Sequence, residues 1–449
     1  MRRHLLVGRF GPKDVVKVPA ASDEQMSELD LLVGDRLGHG IGYALSDMAD
    51  LNLAPGEVAI DLMVLAAHIH AADTRIARST ESQDGWSREI RLVVPVSDPR
   101  LWTDASSIVK RALDFLTGDR WQIGFRSRPK KFATLSKPRP KPLLPVPFDA
   151  VNLFSGGLDS LIGAIDNLEK GGSPLLVSHA GEGAVSKSQE QCYDVLREAY
   201  PDSSFDRLRI WMAFGDGLID GVESESTTRG RSFLFFSLGV AAGAGLGKRF
   251  VLRVPENGLI ALNVPLDPLR LGALSTRTTH PFYMARWNEL LDALGMDGEL
   301  VNPYWDKTKG EMAAECANPD VLRNAVNHSL SCSSPAKARW RGEPQGHCGY
   351  CLPCLIRRAS LAGNDPTDYG VPDLTAYTLD TRQAEGQQVR SFQLAIRRLA
   401  KRPELARVLI HKPGPLSDHP DRIDAYAEVY RRGLEEVGAI LTDVRTAPL

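Results

Sequence analysis

The chain has 449 residues, with 54 Lys plus Arg against 56 Asp plus Glu and a formal net charge of −2; hydrophobic residues make up 43% and charged ones 24%. These proportions match a folded soluble protein long enough for two or three domains, and exclude a disordered or collagen-like chain. The even charge argues against wholesale coating of nucleic acid and leaves only a local basic patch open.

The opening Met-Arg-Arg-His-Leu-Leu-Val-Gly has three consecutive apolar residues, too few for the ~7–15-residue apolar core of a signal peptide. Residues 1–127 read as an α+β domain. Arg88 to Val96 alternates and then runs apolar, like a strand entering a core. Asp98-Pro99 supplies a helix cap and a first-turn proline. Leu101, Ile108, Val109, Ala112, Leu113 and Leu116 then keep a helical stripe that Gly118 closes, and Trp121, Ile123 and Phe125 alternate as a strand. His68 and His70 would face different ways on a helix and have no third ligand nearby, which argues against a metal site. Arg126 to Pro147 holds six prolines and seven basic residues without an acidic one. The expectation for 128–147 is an extended, solvated linker, with a phosphate or RNA contact as the alternative.

At Ala150 a nucleotide-type α/β unit starts, the first part of a domain spanning 148–362. Val151 to Phe154 is a short buried strand, followed by Ser155-Gly156-Gly157-Leu158-Asp159-Ser160 and a helical stripe of Leu161, Ile162, Ile165 and Leu168. Leu175 to Val177 is a second strand, finishing at Ser178-His179. Short strands joined through helices imply a parallel sheet. A loop that leaves a strand and opens a helix aims backbone N–H groups and the positive end of the helix dipole outward, which makes an anion site. Gly156 and Gly157 let a phosphate approach the backbone, Ser155 and Ser160 offer hydroxyls, and Asp159 can cap the helix or position Mg²⁺. Gly243 to Lys248 imitates a Walker A loop, but Arg249 stands where Ser or Thr is required.

Ser232 to Gly247 is uncharged for sixteen residues. That falls short of the ~20 a membrane span needs, so it reads as a buried helix, and the chain as cytoplasmic with no membrane partner. Arg249 to Val254 is a strand running into Pro255-Glu256-Asn257-Gly258. In open α/β sheets ligands lie beyond the carboxyl ends of the strands, which makes His179, Glu256 and Asn257 candidates, with Arg270, Arg277 and His280 in the loop that follows. Cys332, Cys348, Cys351 and Cys354 are spaced C-x₁₅-C-x₂-C-x₂-C. Four thiolates satisfy tetrahedral Zn²⁺ and leave no open position, hence a structural zinc; a ferredoxin-type run would need a cysteine where Arg358 stands. Cys192 and Cys316 read as ordinary thiols. The tail, 363–449, is a helical extension in which Ile423, Tyr426, Val429, Tyr430, Leu434, Val437 and Ile440 share one face.

Ser-Gly-Gly-x-Asp-Ser after a first strand resembles the signature of the PP-loop ATP pyrophosphatases. That implies an adenine nucleotide alpha hydrolase-like, Rossmann-like core that binds Mg-ATP and splits it to AMP and pyrophosphate. The succession Arg229-Gly230-Arg231-Ser232, Asn302-Pro303, Thr308-Lys309 with Glu311, Ser331-Cys332, and Cys348 to Cys354 with Arg357 is similar to the 7-cyano-7-deazaguanine synthases, the QueC family, over 150–362. The resemblance implies a ligase that adenylates the carboxylate of 7-carboxy-7-deazaguanine. It implies ATP contacts at Ser155, Gly156, Gly157, Leu158, Asp159, Ser160, His179 and Arg231, with Asp159 and Lys309 catalytic. Glu256, Asn257, Arg270, Arg277 and His280 become substrate contacts: Glu256 for the N–H donors of a guanine-like edge, an arginine for the carboxylate, His280 as an alternative general acid or base.

The chain departs from the family in a longer first cysteine gap, in Ser178 to Gly183, in Ser275 to Pro281, and in the added parts at both ends. Glu256-Asn257-Gly258 with Ser275 to Pro281 is similar to the QatC branch of anti-phage defence systems, where the activated carboxylate is implied to pass to an amine of a partner protein rather than become the nitrile. The alternatives are adenylation of a tRNA base, against which the Cys₄ set leaves no evident sulfur-carrying pair, and a nucleotide-sensing scaffold without turnover.

Overall fold

The apolar run Leu5-Leu6-Val7 that opens the chain is the buried centre of a strand, β1 (Arg3–Arg9). The computed structural model describes residues 3–82, 84–137, 146–181, 183–225, 229–267, 277–333, 335 and 345–448. After β1 come β2 (Glu24–Asp30), α1 (Glu57–Arg75), β3 (Glu89–Val96), α2 (Pro99–Thr117) and β4 (Arg120–Ser127). The sheet order is β2-β1-β3-β4 and every pairing is parallel. Residues 1–127 are therefore α/β, not α+β. Residues 10–23 join β1 to β2 without a helix, helices lie between β2 and β3, and the strand-helix-strand unit at 89–127 is a βαβ turn. Its ends obey local chemistry: Asp98 accepts from the N–H groups of Arg100 and Leu101, Pro99 opens the helix, and Gly118 ends it at φ +75°.

The start of the 128–147 segment is anchored to the N-terminal layer, while Lys130, Lys131 and Lys137 stay exposed. Arg128 is buried and pairs with Glu57 and Asp61. Glu57 also accepts from the N–H groups of Leu135 and Ser136 at 2.8 and 2.7 Å, and Phe132 stacks on Phe10 at 5.0 Å. This part covers the switch point between β1 and β3, where a parallel sheet has its crevice. Asp14 and Asp61 there are taken by Arg126 and Arg128. Residues 138–145 of the segment lie outside the described residues.

The second sheet is built from β5 (Ala150–Leu153), α3 (Leu158–Glu169), β6 (Pro174–Ala180), α4 (Gly183–Ala199), β7 (Asp206–Trp211), α5 (Arg231–Ala244), β8 (Phe250–Arg253), α6 (Gly258–Leu262), α7 (Pro281–Ala293), β9 (Gly298–Val301) and α8 (Lys309–Ala314). Its order is β9-β8-β5-β6-β7, all parallel. The chain first builds outward from β5 through β6 to β7, then crosses to β8 on the other side. The switch point therefore lies between β5 and β8, and the segments leaving those two strands are 154–160 and 254–257.

One apolar cluster runs from Leu6, Met63 and Trp121 of the first layer to Leu153, Val177, Phe236 and Leu252 of the second. The two sheets thus share a core across packed α1 and α5. Helix α5 is the buried helix expected at 232–247. Its Gly239 and Gly243 lie where a Cβ would strike Leu252 and Phe250, so packing explains the Walker-like spacing. Among the described residues no helix is long and apolar enough to cross a membrane. Among the later elements are α9 (Leu352–Ser360), α10 (Ala384–Lys401) and α11 (Ile423–Ile440), and the tail is not wholly helical, since Leu379–Asp380 pairs with Thr446–Ala447 as two short parallel strands. In α11, Tyr426, Val429, Tyr430, Leu434 and Val437 are buried against Leu259 and Leu355, with Ile423 and Ile440 at the margin.

Candidate functional site

At the switch point of the second sheet, the chain leaves β5 through a tight loop. Gly156 has φ +79°, and a Cβ there would sit 2.9 Å from the backbone N of Gln189, so both the dihedral and the space demand glycine. Gly157 is the cap of α3 and has no side-chain capping bond; the N–H groups of Leu158, Asp159 and Ser160, in the first turn, have no intrahelical acceptor. The Ser155 and Ser160 hydroxyls lie 3.2 Å apart, and Ser160 donates to the Gly157 carbonyl at 2.9 Å. The side chain of Leu158 is fully buried in the core, so that residue has only its backbone to offer a ligand.

Asp159 does not cap the helix. Its buried carboxylate faces the Lys309 Nζ at 2.8 Å and accepts from the Asn257 side-chain amide at 2.7 Å. Asn257 also caps α6, its side-chain oxygen accepting from Ile260 at 3.1 Å. Glu256 lies on the same carboxylate. Its backbone is held in both directions by Asn302, which donates to its carbonyl at 2.8 Å and accepts from its N–H at 3.3 Å. Lys309 and its hydrogen-bond partners hold Asp159 below its ordinary range against the opposing effect of burial. Burial and the Asp159 charge push Glu256 well up, so that it keeps a proton and can donate to Asp159.

A carboxyl whose folded pKa is raised contributes stability that is fully present below its unfolded value of ~4.3 and is lost as pH rises through the raised value. Denaturant titrations should therefore show stability falling across that window in the wild type, and Glu256→Gln should flatten the fall; an unchanged slope would contradict this assignment.

Lys309 is the first residue of α8, which starts with a reciprocal cap. Thr308 accepts from the Glu311 N–H at 3.1 Å, and Glu311 accepts from the Thr308 N–H at 2.8 Å. Helix α11 holds this start. Glu436 accepts from the Thr308 hydroxyl and, at 3.2 Å, from the Gly310 N–H, while Arg432 donates to Glu311 at 2.6 Å. Nothing in the local sequence of the tail marks Glu436 for this task.

The other candidates fall into two groups. His179 is the penultimate residue of β6, next to the loop, and Arg231 opens α5 beside Gly181. Arg277 and His280 are engaged with the N-terminal layer. The Arg277 guanidinium donates to the Phe115 carbonyl at 2.8 Å and lies over its ring. His280 is fully buried, caps α7 by accepting from Phe282 at 3.2 Å, and packs 5.0 Å from Phe115. Burial with the nearby Arg277 charge pushes its imidazole down to about 3. Arg270 lies outside the described residues.

The four cysteines converge. All four sulfurs lie within 4.8 Å of one another, with Cys332 to Cys351 and Cys348 to Cys354 each at 3.9 Å. A tetrahedron with ~2.3 Å metal–sulfur bonds has edges of ~3.8 Å, so the set can hold a metal ion such as zinc. Gly349, at φ +90°, turns the chain between Cys348 and Cys351, whose N–H points to the Cys348 sulfur at 3.3 Å. The knot is wired to the loop. Leu330, two residues before Cys332, donates its N–H to the Gly156 carbonyl at 2.8 Å. Ser188 donates to that same oxygen at 2.7 Å. Arg357, in the helix that carries Cys354, ties down Ser329 and Val326 at 2.8 and 2.7 Å.

No model of a known protein family matches this chain, and no curated protein matches it either.

Proposed function

We propose that the chain is an ATP-dependent ligase of the PP-loop kind, acting on a 7-deazaguanine carboxylate. The observation that carries this reading is the anion-shaped loop at the switch point of a parallel sheet, with a buried lysine against its aspartate. In the proposed reaction a carboxylate oxygen of 7-carboxy-7-deazaguanine attacks the α-phosphorus of ATP and pyrophosphate leaves. An amine then attacks the acyl carbon of the adenylate, losing a proton as AMP departs. The amine belongs to a partner protein or is ammonia, whose amide can be dehydrated to the nitrile. The first-turn N–H groups of α3 take phosphate oxygens, and Lys309 offsets the charge that grows as the bridging bond breaks. The hard carboxylate oxygens of Asp159 suit a Mg²⁺ carried by the nucleotide, which would supply further charge neutralisation. The choice of a deazaguanine rests on the order of motifs from Arg229 to Arg357.

Mass spectrometry of the chain with Mg-ATP and 7-carboxy-7-deazaguanine, without and with candidate amines, tests this. AMP and pyrophosphate should form only with the deazaguanine, and the product mass separates nitrile, amide and protein conjugate. Absence of AMP under every condition would sink the reading.

Glu436 bears on the same step by fixing where Lys309 stands. Glu436→Gln should lower kcat for AMP formation by about tenfold and leave KM for ATP near the wild-type value, as expected of a positioning residue. Parallel losses in both constants, or none, would refute that role.

A further inference from the structure

We propose that the N-terminal layer completes the nucleotide site: His70 of α1, together with His179 and Arg231, forms a second anion-binding corner that takes a phosphate oxygen of the ATP held at the loop. This rests on the ATP reading above.

The His70 and His179 rings meet edge to face, 5.8 Å apart at 83°. The residues are 7% and 5% exposed, yet the Nδ1 of His70 has no hydrogen-bond partner, and His179 has only a poorly formed bond to the Met212 backbone. Buried polar groups are rarely left unbonded, and two facing imidazoles so weakly satisfied call for an acceptor from outside the chain. The corner adjoins the loop, because one side chain touches both: the Gln189 amide lies 3.4 Å from the Ser155 carbonyl and 3.3 Å from that of His179.

A cation stands beside the rings. Gly181 has no side chain where a Cβ would come within 3.0 Å of the Arg231 guanidinium. The helix that carries His70 also places Arg231. Asp73 accepts from the N–H of Gly230, the residue before it, at 2.7 Å, and Arg75 holds the Phe214 and Gly215 carbonyls. Burial and the nearby guanidiniums of Arg231 and Arg75 push the His70 imidazole down to about 4; burial, Arg231 and His70 push that of His179 down to about 3. Both rings are therefore neutral, each with one N–H, that of His179 shared with the Met212 backbone. An oxyanion is the ligand that two N–H donors and a guanidinium share.

The test is calorimetric titration of the full chain with Mg and α,β-methylene-ATP, which cannot be split at the α-phosphate. His70→Leu should weaken binding about tenfold, the loss of one hydrogen bond to a charged group, with the ligand-free melting temperature in place. His70→Asn, whose shorter amide does not reach, should do the same and decides the matter if His70→Leu does not fold. Wild-type affinity in these variants overturns the corner and leaves the loop reading standing. No binding by the wild-type chain overturns both.

Discussion

Lys309→Met should slow AMP formation by ~10²–10³-fold, the loss expected when one preorganised group is removed from a developing charge. It should also destabilise the chain, because breaking a buried ion pair costs about 3–5 kcal/mol through the carboxylate left behind. These two effects can be separated. Asp159→Asn added to Lys309→Met removes the orphaned charge and should restore much of the stability, while turnover stays lost. Steady-state rates and denaturant midpoints of the single and double variants measure both. Recovery of turnover in the double variant would reduce Lys309 to a structural counter-ion.

Cys354→Ala should empty the metal knot and stop turnover although no cysteine lies at the loop. Structural Zn²⁺ sites bind with about 10–16 kcal/mol in small domains, and that energy is folding energy. Without it the chain around Cys332 and Cys348 loses its anchor, and with it the N–H that Leu330 gives to Gly156. Elemental analysis should find about one metal ion per wild-type chain and almost none in the variant. Cys316→Ala, whose thiol lies outside the set and is pushed up to about 12 by burial, should keep both metal and rate. A metal-free variant with full activity would refute the bracing role.

Features set by neighbours in sequence were legible from the chain. The Gly-rich turn after a buried strand, the Asp98 cap with Pro99 and Gly118, and the close cysteine spacings all depend on local geometry. What was missed depends on partners far along the chain. Arg128 looks like part of a basic, solvated linker until Glu57 and Asp61, some seventy residues earlier, are seen beneath it. The contacts of Arg277 and His280 with Phe115 likewise join residues more than 160 positions apart. The short opening strand was hidden because Leu5-Leu6-Val7 is too brief to show a period. Glu436 reaches Thr308 across 128 residues, and only the docking of α11 reveals it.

The two sheets treat their crevices in opposite ways. In the first, Arg126 and Arg128 sit on Asp14 and Asp61 as tethered occupants. A short tether presents its group at millimolar effective concentration or more, so a free cation would have to outcompete residents that never diffuse away.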